Sequence, residues 1–169
     1  MLDLATVTAD INRWIETFVE VPHPALGGWA PCPYARQARL NREYEIRIGA
    51  SPGYDLVSMS HYKLGNKKVV MFVYDLSTIT AQELAGYTNY YNRLWLTGQD
   101  LIALSDHPDD AESVNGVVMN QGQYALLLVQ SLSELNEKAQ QLGSKGFYNN
   151  WSEDYARSVF AHRKDPRLT

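Results

Sequence analysis

One cysteine, Cys32, in a chain of 169 residues leaves no partner for an internal disulfide. The longest apolar stretches, Lys68–Tyr74 and Tyr124–Val129, fall far short of the roughly 20 residues that cross a bilayer and read instead as buried strands. Positive charge is not in excess either. Fifteen Lys and Arg face nineteen Asp and Glu, a net charge of −4, which argues against a general nucleic-acid binder because phosphate contacts need a basic face. The opening Met-Leu-Asp-Leu-Ala-Thr lacks the basic segment and apolar core of a signal peptide, so a reducing, cytoplasmic setting is expected. No Gly-x-Gly-x-x-Gly, P-loop or Gly-x-Ser-x-Gly pattern occurs, which weakens nucleotide-driven and common serine-hydrolase readings.

What is present suits one core. At 45% hydrophobic and 20% charged, 169 residues without repeat, linker or low-complexity tract read as a single α+β domain. Val7, Ile11, Trp14, Ile15 and Phe18 recur at helical spacing, with Thr6 or Thr8 as cap. After a Pro- and Gly-rich loop over 21–29, Pro33 at a first helical position starts a short helix with Cys32 at or near its N-cap. Tyr44, Ile46 and Ile48 alternate as a strand, Ser51-Pro52-Gly53 reads as a turn, and Asp55–Tyr62 and Lys68–Tyr74 read as further strands, which suggests a meander. Thr80-Ala81-Gln82-Glu83 has capping-box form and opens a helix ending near Gly98. Strands at Leu101–Leu104 and Tyr124–Val129 bracket a long polar stretch. Helices are then expected from Ser131 to Gly143 and from Ser152 onward. The order strand, helix, strand, strand, helix is most of a split β-α-β unit. With the early strand in the remaining sheet position, the expectation is a ferredoxin-like sandwich carrying an extra N-terminal helix and a Cys-containing helix.

Two constellations carry chemistry. In Pro31-Cys32-Pro33-Tyr34-Ala35-Arg36 a thiol stands where free helix amides stabilise a thiolate, and Arg36 lies one turn on. The competing reading is a buried apolar thiol packed on Trp29 and Tyr34. Asp106-His107-Pro108-Asp109-Asp110 gathers an imidazole and carboxylates after a strand, a usual place for a site. It lacks the ligand spacing of His-Glu-x-x-His, and no metal is assigned. His107 suits a general base, since its ordinary pKa of about 6.5 favours proton transfer near neutrality. The expected site therefore has Cys32 as nucleophile, His107 as base and Arg36 as anchor of a small anionic molecule, with His23, Trp29, Tyr34, Asn115 and Asn120 around it. The sequence specifies no cofactor and no oligomeric state. The alternative class is a non-catalytic interaction module, of phage or accessory type, that contacts a protein partner through the aromatic loop Phe147–Trp151.

Cys32-Pro33-Tyr34-Ala35 resembles the Cys-Pro-Tyr-Cys motif of glutaredoxins without its second cysteine. Gly27-Gly28-Trp29-Ala30 stands here where that family has an apolar strand. Across most of the chain the order Trp14, Cys32-Pro33-Tyr34-Ala35, His107-Pro108, Asn115 and Tyr124 resembles an uncharacterised family of small bacterial and phage proteins. That family has an N-terminal tryptophan helix, a Cys-Pro-Phe-Ala motif preceded by leucine, where this chain has Pro31, and a later His-Pro segment. The resemblance lends no activity. It implies that Cys32 and His107 belong to one site.

Overall fold

The computed structural model describes residues 1–168. Leu4–Trp14, free of Gly and Pro, forms α1, and Asp3 caps it by accepting the Thr6 N–H at 2.9 Å, a role expected of Thr6 or Thr8. Val7, Ile11 and Ile15 share its buried face, and a wider π-helical turn over Ile15–Val19 carries the helix on. Helix α2 spans Ala35–Leu40 with Tyr34 at its N-cap, so Cys32 lies two residues ahead of the cap.

Strand β1 is Tyr44–Ile48. The next segment corrects the sequence expectation, because Pro52–Tyr62 is helix α3 rather than a turn and a strand. Ser51 accepts the Tyr54 N–H and Pro52 occupies the first turn, where its missing N–H costs nothing. Asp55, Leu56 and Met59 then face inward. Val69–Tyr74 forms β2, which pairs with β1 in parallel, so α3 is a crossover and the expected meander does not exist. The Thr80/Glu83 capping box opens α4 (Ala81–Tyr91), which passes through a π turn at Asn92–Leu96 and a 3-10 turn at Thr97–Gln99. Leu101–Asp106 is β3. Ser113–Val114 and Val117–Val118 are β4 and β5, a hairpin inside the long polar stretch whose Asn115 and Gly116 both take positive φ, as a two-residue hairpin turn requires. Ala125–Ser131 is β6, Leu132–Gly143 is α5 and Glu153–Val159 is α6.

The main sheet has the order β1-β2-β6-β3, with β6 antiparallel to both neighbours, so β2 and β3 run the same way on either side of it. The fold is α+β with a mixed sheet. Alternation divides the strands. Val70, Phe72, Tyr74, Leu101, Ala103, Ala125, Leu127 and Val129 pack with Leu56, Met59 and Leu84 of α3 and α4. On the other face, Met71, Val73 and Leu126 pack against Val7, Ile11 and Ile15 of α1. β3 ends the sheet, and the buried Asn92 amide closes its outer edge by donating to Ala103 O and accepting the Ala103 N–H, both at 2.8 Å. Among the described residues no helix is long and apolar enough to cross a membrane.

Candidate functional site

Helix α1 and its π turn lie over β1 and β2, and α5 and α6 approach the same sheet face from the other side. Between them two cavities lie against the sheet, of about 300 and 350 Å³, and Trp14, Val19, Cys32 and Leu128 line both. The larger one, the β1-side chamber, is mostly apolar: Ile15, Tyr44, Val69, Met71 and Leu135 form much of its wall, with Lys68, Glu134 and Lys138 around it. The smaller one, the β3-side chamber, runs along Ile102, Leu104 and Asp106, reaches round the β3 edge to Ala85, Thr88 and Asn92, and is also lined by Phe18, Tyr155, Val159 and His162. Asp110, Glu112 and Asn120 bring polar groups to it from the stretch after β3.

Cys32 stands on the partition. It is exposed and lines both cavities, and protein atoms crowd around the sulfur. That enclosure pushes the thiol above its ordinary pKa; hydrogen bonds from the Tyr34 and Ala35 amides and the charge of Lys138 oppose the rise without cancelling it. The amides expected at a helix start are there, and desolvation outweighs them.

The other residues singled out by sequence separate into two groups. Tyr34 lines the β1-side chamber, with the Lys138 ammonium 5.0 Å from its ring centroid. Asn120 lines the β3-side chamber, is buried, and donates to His107 O at 3.3 Å. His107 lines neither chamber. It is 2% exposed, its Nε2 is 3.1 Å from Ile79 O and its Nδ1 accepts the Asp109 N–H at 3.1 Å, so both ring nitrogens are engaged and neither reaches Cys32. Arg36 is exposed and contributes charge near Glu20. His23 accepts the Ala25 N–H at 3.1 Å and caps the turn Pro24–Leu26. Trp29 packs edge-on to Phe147 at 5.6 Å, and Asn115 donates to Ala25 O at 3.0 Å, tying the β4–β5 hairpin to that turn. In the aromatic loop, Phe147 and Tyr148 are buried and join Phe160, with Trp151 packed against them, in a core under α5 and α6. Among the described residues no group of three or more His, Cys, Asp and Glu is placed to hold a metal ion.

Several groups that matter here had no role in the expected site, although Asp106 opens the Asp106-His107-Pro108-Asp109-Asp110 constellation. Burial, with the charges of Glu112 and Asp110, pushes the Asp106 carboxyl up to about 7, and its buried Oδ1 has no hydrogen-bond partner among the described residues. Glu112 is likewise pushed up to about 7 by burial and then by Asp110, against a hydrogen bond from Asn120. The Tyr155 phenol is held well above its usual range by burial and by the same three acids. The Trp14 indole N–H is also buried and unpartnered. One signal was available for Asp106: strand alternation sets it in line with Ile102 and Leu104 on the inward face. For Glu112, Lys138 and Tyr155 local sequence held no such cue, since the fold alone brings them to Cys32 and Asp106.

The fold and its chambers thus define an α+β protein with a partly apolar, partly acidic space along one sheet face and the β3 edge. No family model matches the chain, and no curated protein or solved structure shows significant similarity to it.

Proposed function

We propose that this protein binds a small organic molecule in the chambers around Cys32. The observation that carries the reading is the apolar β1-side chamber of about 350 Å³, a size within the range of ligand sites, with a few polar groups at its margin. Binding is favoured over covalent transformation. A thiol raised by burial is protonated near neutrality, and His107, the base expected from the sequence, has both ring nitrogens engaged by Ile79 and Asp109. Cys32 then serves as a polarizable wall between the chambers.

A ferredoxin-like label for the scaffold belongs to the same proposal. It is supported by β2, α4 and β3 with β6 inserted between the two parallel strands, to which β1 adds on the outside. One unpaired cysteine suits a reducing, cytoplasmic setting.

The test is an amide-shift NMR titration with a library of small apolar fragments, on the native protein and on two filled variants, Leu128→Phe and Ala38→Phe. Fragments should shift residues of the chamber wall in the native protein and lose that effect in the filled variants, whose melting temperatures stay near native. Unchanged fragment binding in both folded variants would sink the proposal, as would shifts confined to other surfaces.

A further inference from the structure

We infer that the β1-side chamber takes an apolar monocarboxylate, with the carboxylate on Lys138 and the hydrocarbon body against Ile15, Val69, Met71 and Leu128. This rests on the proposed ligand-binding role and names the ligand class. Two acidic and two basic side chains line the chamber: Glu43, Glu134, Lys68 and Lys138. Lys68 is paired with Glu134 at 2.8 Å, and Glu43 accepts the Asn41 side-chain N–H at 3.3 Å while adding its charge to Lys68. Lys138 has no carboxylate within ion-pair distance among the described residues. Its ammonium lies over the Tyr34 ring, a contact that holds a cation without neutralising it.

The Tyr34 and Ala35 amides point at the Cys32 sulfur, where Lys138 also makes itself felt. An amine would meet Lys138 as a like charge, and a neutral ligand would bury its ammonium further with no acid to answer it. One unpaired cation matches one carboxylate, whereas a phosphate ester is usually met by several donors or an arginine fork. Alternation along β2 and β6 supplies the apolar floor through Val69, Met71 and Leu128. About 350 Å³ is roughly twelve water volumes at about 30 Å³ each, enough for a medium-length chain.

Octanoate, octanol and octylamine, titrated into the native protein and into Lys138→Met and Lys138→Arg with amide shifts and calorimetry as readouts, decide the matter. Octanoate should bind the native protein about tenfold or more tighter than octanol, the scale of a charge-assisted contact. Lys138→Met should abolish the preference for octanoate while octanol binds no more weakly than before, with a native-like amide spectrum showing that the variant is folded; Lys138→Arg should restore the preference. Equal binding of octanol and octanoate, tighter binding of octylamine, or indifference of octanoate to Lys138→Met each overturns the carboxylate assignment while the chamber remains a ligand site. If none of the three probes shifts the chamber residues, the assignment and the ligand-binding proposal fall together.

Discussion

The two faces of the sheet are built from the same strands and treat polar groups oppositely. Beneath α3 and α4 buried polar side chains are answered: Tyr74 by Asp55 at 2.7 Å and, where the β3-side chamber reaches round the sheet edge, Asn92 by the Ala103 backbone and Thr88 by Leu84 O at 2.8 Å. The Trp95 indole N–H is the exception there. The opposite face holds the β1-side chamber and the part of the β3-side chamber along Ile102, Leu104 and Asp106, with the unpartnered Trp14 N–H and Asp106 Oδ1 and carboxyls pushed up to about 7. Burial of an unanswered polar group costs free energy, so a scaffold face removes such groups and a face that tolerates them has another use for the space.

Leu127 and Leu128 put this contrast on adjacent residues of β6, one on each face. Leu127→Ala empties a fully packed site and should lower the unfolding free energy by about 3–4 kcal/mol. Leu128→Ala enlarges space that already exists and should lower it by only about 1–2 kcal/mol. Urea denaturation of the two variants gives both numbers, and equal losses would erase the distinction between the faces.

The acidic chamber should show itself in the pH dependence of stability. Asp106 and Glu112 have folded pKa values raised above their ordinary ones, so the folded chain keeps protons that the unfolded chain releases. Their contribution is complete below about pH 4 and is lost as pH rises through about 7, at up to about 1.4 kcal/mol per pH unit for each group. The carboxyls held below their usual range, among them Glu20 and Asp100, act in the opposite sense at more acid pH, which leaves the interval from pH 5 to 7 to the raised carboxyls, Asp106 and Glu112 with Asp55 beside them. Asp106→Asn should flatten that fall and exceed the native protein in stability at pH 8. A variant whose pH profile runs parallel to the native one would show that Asp106 is ionised throughout and the chamber is wetter than its packing implies.

On the sealed face the corresponding polar contact is Tyr74 with Asp55, whose carboxyl burial also raises. Tyr74→Phe keeps the ring and removes the donor, leaving a buried carboxyl with one partner fewer, and should cost about 1–3 kcal/mol in thermal or urea unfolding. No loss would mean that water already reaches Asp55.

The scaffold was more legible in the sequence than the site because its signals are local. The apolar run of β2 and the Thr80/Glu83 capping box each specify their element within a few residues. Helix α3 was missed through a local ambiguity: Ser51-Pro52-Gly53 fits a turn and also a cap with proline in the first helical turn, and Leu56 and Met59 decide only once the sheet is there to receive them. Cys32 was found from its place before a helix. The direction of its pKa was not, because it depends on the protein mass that α1 and α5 bring around it, against which two amides and Lys138 are the weaker influence.

Cys32 supplies the smallest effect and the sharpest reading of the chamber. With its thiol raised by burial, alkylation by a small neutral reagent should be slower than in the denatured chain at pH 7 and should accelerate only above the ordinary thiol range. Cys32→Ser should change stability by less than about 1 kcal/mol, since the side chain borders space rather than filling it. A molecule seated in either chamber covers the sulfur, so fragments that bind there should slow the reaction further, while fragments bound elsewhere leave it alone. Rapid labelling below pH 7 would mean that the Tyr34 and Ala35 amides and Lys138 outweigh desolvation after all, and would return Cys32 from chamber wall to nucleophile.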